Sequence, residues 1–140
     1  MARVSKNKKF DREIERILTE RINGAAQIAR NNVVKLINRT QPTDLTRGGR
    51  LIGLAPSLPG EPPKRLTGAL VRSITAGVAK VGNKIRGYVG TNRVGARRLE
   101  YGFQGVDSAG RSINQAPRPY LRRGVMEARA AMLRILRRGA

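Results

Sequence analysis

The sequence predicts an α+β fold. A long N-terminal helix and a C-terminal helix pack on a small antiparallel sheet with a β-hairpin core, and a long extended arm rich in proline and glycine leaves it. Three observations carry this expectation. Apolar residues recur at three- and four-residue steps over 10–39 and again over 120–139. Two alternating runs, 75–81 and 84–91, flank Gly82-Asn83, a hairpin signal. Five of the seven prolines fall within 40–65. With 140 residues the chain has length for one domain with one modest core. Its expected parts are a basic N-terminus (1–9), a long helix (10–39), an arm (40–65) and an α+β core with the last helix (66–140).

The helix at 10–39 carries its apolar stripe on Ile14, Ile17, Leu18, Ile22, Ala25, Ala29, Val33, Leu36 and Ile37. Asp11, Glu13 and Glu15 open it and Lys35 and Arg39 close it, as the helix dipole favours. Gly24 is a weakness in its middle. Pro42 stops it, because proline cannot continue the hydrogen-bond ladder. Residues 40–65 read as irregular. Loops of that length are functional or disordered, and Leu51, Ile52, Leu54 and Leu58 argue against disorder. Thr67 is expected to cap a short helix over 68–74, with Leu66 and Val71 as a hydrophobic staple. Gly82-Asn83 suits a type II′ turn, with Val78, Val81, Ile85 and Val89 as the apolar markers of the hairpin. Residues 96–103 form a helical turn ended by Gly102, and 104–119 a polar loop. A lone hairpin is marginal in water, so the arm or the 104–119 loop is expected to add a third strand. The last helix places Leu121, Val125, Ala128, Met132 and Ile135 on one stripe, with Gly124 as a soft spot. No internal repeat is present.

Charge is the strongest feature. Twenty-nine Lys+Arg stand against nine Asp+Glu, a formal net of +20, at a mean hydropathy of −0.42. Self-repulsion on this scale calls for a polyanion or an acidic partner. Arg122, Arg123, Arg129, Arg134, Arg137 and Arg138 crowd the last helix and are the candidate contacts to DNA or to an acidic partner. Their planar forks bind oxyanions bidentately. The bland alternative is that some form surface pairs or lie over the core. Only five aromatic residues exist, and Tyr101, Phe103 and Tyr120 are expected to anchor the core. With few rings to stack bases and no helix-turn-helix spacing, the expected contact is sequence-neutral attraction to phosphate, weakened by salt.

Other classes find little support. No run of about 18 apolar residues exists, so no transmembrane helix is expected. The basic N-terminus lacks the apolar stretch of a secretory signal. Cysteine is absent, so no disulfide framework is expected, which suits folding in the cytoplasm. Histidine is absent too, so no metal ligands of the usual zinc kind and no usual general base are present. The acids are scattered apart from Glu13 and Glu15, next to Asp11, and no phosphate-binding glycine motif occurs. Ser73 has no base that the sequence positions beside it. No enzyme, cofactor, metal or small-molecule substrate is expected.

Four blocks in order then suggest a family. They are "PGEPPKRLTGALVRSI", "YVGTN", "ARRLEYGF" and "PRPYLRRGV". They place Pro59, Gly60, Pro62, Pro63, Thr67, Gly68, Leu70, Ser73 and Ile74 ahead of Val89, Gly90 and Thr91. Glu100, Tyr101 and Gly102 follow, then Pro117, Arg118, Pro119, Tyr120 and Leu121. The pattern resembles the tail-completion or head–tail joining proteins of long-tailed bacteriophages over roughly residues 59–125. The chain departs from it before the third block, where "VGARRLEYG" lacks the aromatic-alanine pair common there. The resemblance implies a structural virion protein of the neck or tail top, assembled in the cytoplasm of the bacterial host. It implies a ring of copies, a hexamer, beside tail terminator, tail tube or head-connector proteins, with double-stranded DNA passing through non-specifically. In a ring, Leu51, Ile52, Leu54 and Leu58 become a candidate subunit-interface arm. Charge alone leaves an alternative: a free, sequence-nonspecific nucleic-acid-binding protein.

Overall fold

The computed structural model describes residues 7–39, 43–55, 57–63 and 68–138, with only the backbone of 43–47 and 51–55. The fold is α+β, as the sequence predicts. Helix α1 spans Lys8–Arg39. It begins earlier than the apolar pattern because Asn7 caps it: its Oδ1 accepts the Lys9 and Phe10 amides at 3.2 and 3.3 Å. The buried residues of α1 all lie in its C-terminal half, from Ala25 to Ile37. The expected stripe therefore splits. Ala25, Ala29, Val33, Leu36 and Ile37 are core, whereas Phe10, Ile14 and Leu18 stay exposed.

The arm is not irregular. Strands β1 (Thr43–Arg47) and β2 (Arg50–Ala55) form an antiparallel hairpin with a bulge between Leu45 and Thr46. Its turn is Gly48-Gly49, with φ of 59° and 75°. Two successive positive φ values are what a type I′ turn needs, and glycine supplies both without strain. Leu51, Ile52 and Leu54 lie on β2, where their side chains are outside the described residues. The following segment belongs to the body: Ser57, Pro62 and Pro63 are buried. Leu58 remains exposed. The Gly60 amide donates to the Pro117 carbonyl at 2.9 Å.

Helix α2 (Ala69–Ser73) starts from Gly68 at φ 76°, with no side-chain cap. The expected Thr67 cap and Leu66 staple lie outside the described residues. Strands β3 (Thr75–Val81) and β4 (Lys84–Gly90) pair as expected. Gly82 has φ 62° and no described non-glycine residue has positive φ, which fits a type II′ turn and not I′. Ala76, Val78, Ile85, Gly87 and Val89 share the face that packs on α1. Val81 is exposed: three residues from Val78, it falls on the other face.

Helix α3 covers Ala96–Tyr101. The expected 104–119 loop is in part a third hairpin, β5 (Phe103–Val106) with β6 (Ser112–Gln115). Asp107 closes its turn, its Oδ1 accepting the Ala109 and Arg111 amides at 2.9 and 2.8 Å. Neither extra hairpin adds a strand to β3–β4, and the sheets are three separate pairs. Helix α1, not a third strand, covers β3–β4.

The last helix divides at Ala128 into α4 (Leu121–Glu127) and α5 (Arg129–Leu136). Both pack on α1. The two glycines read as weak spots are crossing points. A Cβ on Gly124 would stand 2.6 Å from Val33 Cγ2 and 2.8 Å from Val33 Cα, and one on Gly24 would stand 3.4 Å from Ile135 Cγ2. Asn32 Nδ2 donates to the Gly124 carbonyl at 2.7 Å. The core centres on Val33, Ile37, Ile74 and Tyr120, with Leu70, Val89, Leu99 and Leu121 around it.

Candidate functional site

The four sequence blocks, far apart in the chain, meet at one junction. Its hub is Glu100. Residues Ala96, Leu99 and Glu100 of α3 turn inward at helical spacing. The Glu100 carboxylate accepts the amides of Tyr120 and Leu121 on Oε2, at 2.9 and 3.0 Å, and of Arg122 on Oε1, at 3.0 Å. Three amides at the start of α4 that no earlier turn can bond are thereby satisfied by a charge from another helix. Tyr120 is buried, and its hydroxyl donates to the Ala96 carbonyl at 3.4 Å. Burial and the Glu100 carboxylate push its phenol up to about 12.

The other block residues brace this hub. The Arg118 amide donates to Leu99 O at 2.6 Å, and its guanidinium to Ser57 O at 3.1 Å. Pro117 and Pro119 flank it and leave no amides to satisfy. Gly102 has φ 76°, and a Cβ there would lie 2.7 Å from Gln115 O, so only glycine fits. The Ser73 hydroxyl donates to Leu70 O at 2.6 Å and accepts from Thr91 Oγ1 at 2.6 Å, while Thr91 Oγ1 accepts the Arg93 amide at 3.1 Å. Pro59 and Gly60 form the turn that meets Pro117, and Gly90 ends β4. Thr67 lies outside the described residues. Glu100, Tyr120, Arg118, Ser73 and Thr91 are thus committed to holding the fold, whereas Arg97, Tyr101 and Arg122 of the same blocks are exposed.

Tyr101 does not anchor the core. It points away from the inward face of α3 and is 71% exposed. Phe103 is half-buried under Arg98, whose guanidinium carbon lies 4.0 Å from the ring centroid. Among the described residues no cluster of three or more His, Cys, Asp or Glu is placed to hold a metal, and no helix is long and apolar enough to cross a membrane.

All six arginines of the last helix are exposed. Arg122, Arg123 and Arg134 lie away from the stripe of Val125, Ala128, Met132 and Ile135, Arg129 flanks it one turn after Val125, and Arg137 and Arg138 follow the end of α5. Glu127 takes Arg123 Nε and Arg39 Nη2, each at 3.2 Å. These two bonds, Arg123 first, hold its carboxyl below the usual range. Arg122, Arg129, Arg134, Arg137 and Arg138 have no acidic partner among the described residues. Arg122 also forms, with Arg97, the rim of a cleft of about 470 Å³ between β4, α3 and α4. Nothing in the spacing of residues 97 and 122 announces that proximity, which the bonds of α3 to Arg118, Tyr120 and the start of α4 create. An apolar groove of about 560 Å³ lies between α1, β4 and α5. Beyond it the N-terminal half of α1 carries exposed Phe10, Ile14 and Leu18, anchored to the body by Lys80 Nζ on Glu15 at 2.7 Å. Comparison with family models, curated proteins and solved structures gives no match.

Proposed function

We propose that the chain is a structural subunit of the neck or tail top of a long-tailed bacteriophage, a ring-forming tail-completion or head–tail joining protein through which DNA passes. The observation that carries this reading is the junction itself. Four ordered blocks spread over residues 59–125 meet around Glu100 and Tyr120, whose polar groups serve the fold. Residues committed in this way define an architecture and leave function to the outer surface. That surface has two properties. An arginine face on which, among the described residues, Arg123 alone meets an acid suits a polyanion with no base readout. Exposed apolar side chains on α1 suit contact with further protein. Both occur in a subunit that has neighbours on its sides and DNA in its lumen.

Negative-stain electron microscopy of the purified chain, alone and mixed with duplex DNA, tests the reading. Closed rings with a central channel are expected. Single compact particles that coat DNA without forming rings would favour the free nucleic-acid-binding protein instead.

A further inference from the structure

Helix α1 covers one face of the β3–β4 hairpin. The other face is open. The register places Val81, Ala79, Gly77 and Thr75 on it, opposite Lys84, Arg86, Tyr88 and Gly90. Thr75, Val81, Lys84, Arg86 and Tyr88 are all exposed. Tyr88 holds the centre. Its cross-strand partner is Gly77, and a Cβ on Gly77 would stand 2.6, 2.9 and 3.2 Å from the Oη, Cζ and Cε1 atoms of the ring. Three ring atoms so close to one point place the ring broadside over Gly77, with one face against the strand. The other face meets solvent, and Tyr88 is 51% exposed.

A tyrosine laid flat in this way covers a strand glycine, a structural role that needs only the inner face of the ring. The surroundings of the outer face point to a ligand. Arg86 and Lys84 follow on the same side of the sheet, two and four residues along the strand, about 7 and 13 Å away. Neither has an acidic partner among the described residues. Glu15, the acid bonded to this hairpin, meets Lys80 on the face that α1 covers. An open ring beside a row of unpaired cations complements a ligand with planar groups and repeated negative charge, a nucleotide chain. Duplex DNA keeps its base faces stacked inside, so the ligand is a single strand. Gly77 and Gly90 beside the ring offer no side-chain group to a 2′-hydroxyl, so nothing there selects RNA.

We propose that this face of the hairpin binds single-stranded DNA, with one base stacked on Tyr88 and the phosphates running toward Arg86 and Lys84. Every base has a stacking face, so the contact is sequence-tolerant. It is separate from the arginines of the last helix, and it serves a ring subunit and a free chain alike.

A single-stranded thymidine oligonucleotide carrying 5-iodouracil, irradiated with the natural chain, is expected to cross-link to Tyr88, read by mass spectrometry of the digest. Adducts on Tyr101 or Tyr120 with none on Tyr88 would overturn the assignment. Tyr88→Leu still covers Gly77 but has no ring. It is expected to keep its circular dichroism, to weaken binding of the single strand about fivefold or more, and to bind a duplex of equal length as the natural chain does. Tyr88→Phe keeps the ring and should bind the single strand within about twofold of the natural chain. Equal losses on single strand and duplex in Tyr88→Leu would make Tyr88 a structural cover only. Tighter binding of the matching uridine ribo-oligonucleotide would overturn the choice of DNA. None of these failures touches the closed rings expected by microscopy, so the neck reading stands or falls separately.

Discussion

Replacing Gly124 by alanine sets helix propensity against packing. In an isolated helix the change would stabilise by about 1 kcal/mol. At the crossing of α4 with α1, the added Cβ would stand 2.6 Å from Val33 Cγ2 and 2.8 Å from Val33 Cα. Carbon atoms settle at about 3.5–4.0 Å, so the helices must separate by about 1 Å. Val33 Cα is backbone and cannot swing aside. Overpacking of this kind costs about 1–3 kcal/mol. The same shift stretches the 2.7 Å bond from Asn32 Nδ2 to Gly124 O, with about 1 kcal/mol at stake. Against the propensity gain, the expected net loss is about 1–3 kcal/mol. Urea unfolding followed by circular dichroism reads it as a lower midpoint at unchanged slope. Gly24→Ala is the control: its Cβ would meet only the Ile135 side chain, Cγ2 at 3.4 Å and Cδ1 at 3.8 Å, so a gain of up to about 1 kcal/mol is expected. A Gly124→Ala protein as stable as the natural chain would refute the close crossing.

Three further outcomes follow from the same geometry. Glu100→Ala strands three amides at the start of α4 and is expected to cost about 3 kcal/mol or more; Glu100→Gln falls between, and unchanged hydrogen exchange at Tyr120–Arg122 in Glu100→Ala would contradict the cap. The Tyr120 phenol is raised to about 12, above its ordinary value near 10. Its contribution is therefore full below pH about 10 and is lost as pH rises from about 10 to about 12. The natural chain should lose stability across that window more steeply than Tyr120→Phe, and equal losses would count against the burial. Replacing Arg129, Arg134 and Arg137 together by alanine should leave the helix content intact and lower the steepness of the salt dependence of DNA binding by up to about three. An unchanged slope would make these arginines merely solvated.

Much of this fold is legible in the sequence because local periodicity and turn chemistry agree. The long helix, the β3–β4 hairpin, its II′ turn and the helical turn closed by Gly102 all emerge at or near their observed bounds. What escapes has a physical cause in each case. Gly48-Gly49 is a strong hairpin signal, but the proline density around it suggested an irregular arm. Asp107 builds a turn from its own side chain within a segment whose polarity reads as loop. Periodicity cannot tell that α1 outruns its core, so Phe10, Ile14 and Leu18 look like the buried residues that follow them. The roles of Gly124, Glu100 and Arg97 depend on contacts made across the fold. At the candidate site, the arginines of the last helix are legible from composition. The cleft beside them is not, since it forms only where α3, α4 and β4 meet in the fold.

The salt dependence of assembly separates a ring subunit from a free DNA-binding protein most directly. Apolar contact between copies that each carry a net +20 is opposed by long-range repulsion, and salt screens that repulsion. Phosphate binding runs the other way and weakens with salt. Light scattering on the purified chain from low to high salt, without nucleic acid, should show its mass rising from monomer to one discrete multimer. A chain that stays monomeric throughout, and binds duplex DNA tightly only at low salt, would contradict the neck-ring reading.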